Sequence, residues 1–185
     1  MKYTAMIAVS AAALALASCG KKDEPVAPES PAAESSAAMA TPTESMTAGQ
    51  SFANTAASSD AFEIETSKLA AEKEAPAKVK AFAQSMIKAH TESTAKLKTA
   101  AAAATPPVTP VAQMSALQQQ TIAELQGKSG ADFDTAYAKA QVDAHQMTLD
   151  ALKAYSASGD VPSLKSFATG LVPTVTAHLN MAKGL

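Results

Sequence analysis

The chain has 185 residues and a net charge of −2, and every one of its 15 basic residues is lysine. That balance argues against a polybasic protein that grips nucleic acid or anionic lipid through bulk charge. Aromatics make up 4% and tryptophan is absent, so a core must rest on Ala, Leu, Val and Met with a few Phe anchors. Such a core suits close-packed helices better than a sheet.

The chain opens on MKYTAMIAVSAAALALASC, with Lys2, an apolar run from Ala5 to Ala17, and then Cys19. The run is too short for a stable membrane span and has the order of a secretory signal. Its end, Leu16 to Cys19, resembles the lipobox of bacterial lipoproteins. The resemblance implies a signal peptide over residues 1–18, a lipid on Cys19, and anchorage to the membrane through that residue. Residue 20 is Gly, not the Asp that marks inner-membrane retention in many such proteins. The implied location is therefore the outer membrane, facing the periplasm. The alternative is an ordinary secretory signal with a chance cysteine. Cys19 is the only cysteine, which excludes a disulfide within one chain.

Residues 19–50 are rich in Pro, Ala, Ser, Thr and Glu. They hold too little apolar surface to offset chain entropy and read as a flexible tether. Residues 51–185 fit one domain. Breakers divide it into helical blocks at about 51–74, 76–104, 111–126, 131–157 and 161–184. The boundaries are Pro76, the run TPPVTP from Thr105 to Pro110, GKSG from Gly127 to Gly130, and SASGD ending at Asp160. Asp160 is the expected N-cap of the last block. No segment alternates as a strand does. Four long helices and one short one predict an all-α fold: a ferritin-like four-helix bundle with an additional short helix in the central crossover. Lys80 to Ala83 (KAFA) before His90 parallels Lys165 to Ala168 (KSFA) before His178, which suggests two related helical hairpins. Pro173 falls inside the last block and predicts a kink there, eased by Gly170.

A helical wheel places the three histidines. In the second block Val79, Phe82, Ala83, Met86 and Leu97 form the apolar stripe, with His90 near its middle. In the last block His178 lies within the stripe of Leu164, Phe167, Ala168, Leu171, Val175, Leu179 and Ala182. In the fourth, His145 lies opposite Lys139, Asp143, Asp150 and Lys153. In the first, Glu63 shares a face with Phe52, Ala56, Thr66 and Ala70, and Glu65 faces water. Three imidazoles and one carboxylate aimed inward can converge in a bundle, and such a set suits copper, zinc or iron. Met86 and Met181, one turn from His90 and His178, would tilt it toward copper(I); the other reading is that they are gap fillers of the core, the commonest use of methionine. The alternative is a metal-free buried network of His and Glu that fixes helix register. No Glu-x-x-His pair of the di-iron kind is present.

Three stretches, FEIETSKLAAEKEAPAKVKAFAQSMIKAH, GADFDTAYAKAQVDAHQ and LKSFATGLVPTVTAHLNMAKGL, resemble the family called domain of unknown function 4142. Members are ferritin-like helical proteins of the bacterial envelope, often labelled putative outer membrane protein. The resemblance covers about residues 50–185 and carries over Glu63, His90, His145 and His178. Members commonly have an acidic residue just before the first two histidines, where this chain has Ala89 and Ala144. The expected function is a lipid-anchored envelope protein that binds a transition metal through Glu63, His90, His145 and His178. The alternative is a structural or interaction module. No nucleophile–base pair, phosphate loop or nicotinamide fingerprint points to an enzyme, and no nucleic-acid partner is expected.

Overall fold

The computed structural model describes residues 46–185. The expected signal peptide, Cys19 and most of the tether lie outside the described residues. Five helices follow in order: α1 (Ala48–Glu72), α2 (Ala77–Ala102), α3 (Ala116–Gln126), α4 (Gly130–Ser158) and α5 (Pro162–Ala182). α1 and α2 form one hairpin and α4 and α5 the other. The hairpins meet along α1–α4 and α2–α5, and α3 lies in the crossover against α1 and α4. This is the expected bundle, and no strand occurs among the described residues. Nor is any helix among them long and apolar enough to cross a membrane.

Local chemistry sets the boundaries. α1 starts three residues before the expected edge of the tether, because Thr47 accepts a hydrogen bond from the Gln50 amide and caps it. Gly49 is needed at this start, since a Cβ there would lie 2.6 Å from the Val161 side chain. Pro76 precedes the first turn of α2, where a missing N–H costs nothing. Ser115 and Gln118 form a capping box on α3. Asp160 does not cap α5 as expected. Val161 occupies that position, and Asp160 instead accepts from the Tyr155 hydroxyl at 2.8 Å. α5 runs unbroken through Pro173. Both Pro173 and Thr169, whose carbonyl loses its amide partner, are exposed, so that carbonyl is not left buried and unpaired.

The apolar interior falls into two clusters. One holds Phe52, Leu97, Leu149, Leu152, Tyr155, Leu164, Val175 and Leu179. It includes the Phe52–Tyr155 stack, with ring centroids 4.0 Å apart. The other holds Phe62, Val79, Phe82, Met86, Leu125, Phe133, Tyr137 and Ala182. Along each long helix the inward polar residues fall where one cluster gives way to the other. Asp60 and Glu63 follow Ala57, His90 lies between Met86 and Leu97, His145 between Ala140 and Leu149, and His178 between Val175 and Ala182. The fold thus has a polar layer between two apolar ones.

Candidate metal centre

All three histidines converge in that layer. His90, His145 and His178 are buried, and each offers a ring nitrogen within 4.8 Å of the other two. Their ring centroids form a near-equilateral triangle with sides of 5.6, 5.8 and 5.5 Å. His90 comes from the first hairpin, His145 and His178 from the second.

Two of the rings are fixed from behind. His90 Nδ1–H donates to Asp60 Oδ1 at 2.8 Å, and the Thr94 hydroxyl donates to the other oxygen of Asp60 at 3.1 Å. His145 Nδ1–H donates to the Gln141 carbonyl at 2.8 Å. A bond at Nδ1 leaves Nε2 of each ring as the free lone pair in the neutral form, the usual arrangement of a metal-ligating histidine. Three buried ring nitrogens have no hydrogen-bond partner: His90 Nε2, His145 Nε2 and His178 Nδ1. Burying such atoms unpaired is costly. One unpaired atom is a local defect. Three, one from each ring of a single triangle, are what a cation would satisfy.

The carboxylates sit behind the imidazoles. Glu63, expected as a fourth corner, is fully buried but stands against His145 Nδ1 at 3.4 Å, on the side of the ring that also meets Gln141. Asp60, which the wheel reading overlooked, is the acid bonded to His90. It lies one turn before Glu63, four residues after Ala56 and eight after Phe52, so the stripe that placed Glu63 also places Asp60. Ala89 and Ala144 replace the acids common before these histidines in the resembling family, and α1 supplies carboxylates to both rings. Met86 is fully buried in the core and Met181 is exposed. Glu65, expected in water, is half-buried.

Charge follows from burial and these pairings. Burial drives the His145 ring down to about 3, aided by the charge of His90. Burial and His90 likewise lower His178 to about 4. Burial pulls His90 down too, but the Asp60 hydrogen bond and the charges of Glu63 and Asp60 outweigh it and leave the ring above its ordinary value. Burial lifts Glu63 to about 7 against the opposing pull of His90. The layer therefore presents two neutral imidazoles ready to donate lone pairs and a third that must lose a proton first.

A four-helix bundle with a buried triad of imidazoles between two apolar layers defines the class. The chain belongs to the family described as Domain of unknown function (DUF4142), whose profile matches residues 32–185. No curated protein matches its sequence. Among solved structures it is similar to CopM in the Cu(I)-bound form, with a TM-score of 0.60 and 16% identity over 75% of this chain and 95% of that one. The Cu(II)-bound form of CopM gives a TM-score of 0.61 and 16% identity over 74% and 93%. At such identity the likeness is one of fold.

Proposed function

We propose that this protein is an envelope lipoprotein that holds one copper ion on His90, His145 and His178, and that it acts by binding rather than by catalysis. Two observations carry the reading: each histidine has a buried ring nitrogen without a hydrogen-bond partner, and the three rings each offer a ligand atom within 4.8 Å of the others. Imidazole donors suit copper, zinc and iron, and copper(II) binds them most tightly among the common divalent ions. The copper-bound state of two solved structures of similar fold supports the same choice. A metal-free network is the weaker reading, because His178 makes no hydrogen bond among the described residues.

The work of the chain is orientation. Asp60 and the Gln141 carbonyl hold two rings at Nδ1 and leave the buried Nε2 of each without a partner. Asp60 places negative charge behind His90, and Glu63, lifted to about 7 by burial, can add a second behind His145 on losing its proton; both would offset the cost of a buried cation. A copper ion held there by His90, His145 and His178 would supply one-electron redox chemistry. Titration of the protein with copper, zinc, iron and manganese tests the reading. Near-stoichiometric copper binding is expected, with a raised Tm. Ligand at about a thousand times Kd adds about 4 kcal/mol of stability. No Tm shift with any of these metals ends the proposal.

The anchor is part of the same reading. With Cys19→Ala the chain leaves the salt-washed membrane fraction or accumulates as an uncleaved precursor. Unchanged association after the wash refutes the lipid.

A further inference from the structure

The net charge of −2 hides a segregation that the fold creates. α2 carries Lys78, Lys80, Lys88, Lys96 and Lys98 against a single acid, Glu92. α5 carries Lys165 and no acid, and Lys183 follows as its C-cap. These two helices are neighbours. The opposite side is acidic on balance, with Glu65 and Glu72 against Lys68 on α1 and Asp132, Asp134, Asp143 and Asp150 against Lys139 and Lys153 on α4. Among the described residues no lysine of α2 or α5 is paired with a carboxylate. Lys78 and Lys165 donate instead to the carbonyls of Gly184 and Ala157, which leaves their charge uncompensated. From Ser166 to Asn180 the exposed side of α5, including Thr169, Gly170, Pro173 and Ala177, bears no charge at all. A groove of about 600 Å³ separates the helices, lined by Ala95, Ala100, Phe167 and Leu171, with Lys96 in its wall.

We propose that the α2–α5 face docks on an anionic bilayer surface, its lysines against lipid phosphates. Lys78, Lys88 and Lys96 lie within about a quarter turn of one another on α2 and span about 27 Å at 1.5 Å per residue, with Lys80 and Lys98 on its far edge, so the positive charge is spread along the helix, not focused on a pocket. A plane of phosphates matches that spread better than a compact partner does. Each lysine near such a surface raises partitioning roughly fivefold, and the attraction dies within a Debye length. The acidic α1–α4 side is repelled, which fixes the orientation. This surface stands on charge placement alone. The proposed lipid on Cys19 would only bring it within reach, and the copper reading is not needed for it.

The test uses the chain without residues 1–18 and with Cys19→Ala, so that no acyl chain contributes. It is mixed with phosphatidylcholine vesicles containing about one-third phosphatidylglycerol, and with phosphatidylcholine alone, at low and high salt. Expected is binding to the anionic vesicles only, lost at high salt. The double variant Lys88→Glu/Lys96→Glu should lower partitioning at least roughly tenfold. A Lys68→Glu/Lys153→Glu control on α1 and α4 should bind as before, and unchanged Tm in both variants shows that the fold is kept. Equal binding to neutral vesicles, no loss in the α2 variant, or no vesicle binding at low salt overturns the proposal. Salt-sensitive self-association in place of vesicle binding also overturns it and assigns the face to a second copy.

Discussion

His178→Leu is expected to abolish the copper-induced rise in Tm while leaving the metal-free bundle at least as stable as the wild type. The two halves of this result have one cause. His178 is 8% exposed and makes no hydrogen bond among the described residues, and its Nδ1 is buried without a partner. In the absence of metal the ring carries a desolvation cost with nothing to offset it. A leucine of similar bulk removes the cost and joins Val175, Leu179 and Ala182. Loss of one ligand of three should weaken copper binding at least roughly a hundredfold, judging by the 10–100-fold that even a hydrogen-bond partner behind a ligand contributes. The same variant separates the two readings of the triad. If the histidines exist to hold the helices in register, His178→Leu lowers the metal-free Tm. If they exist to hold an ion, it does not. Thermal melts with and without copper decide, and a metal-free Tm well below wild type would refute the metal reading at this residue.

The second large effect is on acidity. Unfolding of the metal-free bundle by urea is expected to show greatest stability near pH 6.5, with a fall on both sides. In the unfolded chain the histidines titrate at 6.5 and Glu63 at 4.5. Between those values the unfolded chain holds protons on all three rings. The folded chain holds them on His90 and Glu63 only, because His145 and His178 stay neutral down to about 3 and 4. The unfolded state thus binds one proton more, and stability rises with pH by about 1.4 kcal/mol per unit. Above 6.5 the sign reverses. The unfolded rings are now neutral, while the folded state keeps protons on Glu63 up to about 7 and on His90 beyond its ordinary value. Stability is lost as pH rises through both. Copper bound at the triad as proposed would displace the His90 proton and should flatten the alkaline arm. A monotonic profile from pH 5 to 9 in the metal-free protein would contradict this proton accounting.

Much of this arrangement is legible in the sequence. Glycine and proline breakers located all five helices, and the wheel turned His90, His145 and His178 inward, because period and burial are local properties. That the rings share one height is not local. It follows from how the two hairpins are docked, and no spacing within a helix encodes it. Asp60 escaped notice although its register matches that of Glu63, since an acid after Ser58 and Ser59 reads as polar surface. Both serines are in fact buried, with Ser58 bonded to Gln118 and Ser59 to Thr148. Met181, one turn from His178, fell on the outer side of the stripe. The basic face was invisible for the same reason as the shared height: α2 and α5 are far apart in the chain, and adjacency alone makes their lysines one surface.

The division of the triad between hairpins has a consequence for assembly in time. α1–α2 alone supplies one imidazole and α4–α5 two, so neither half of the molecule holds the full set. If the triad holds copper as proposed, its three-ligand spectrum would develop only after the halves have joined. Its growth during refolding is therefore a clock for that last step, and its decay in denaturant times the moment the halves part.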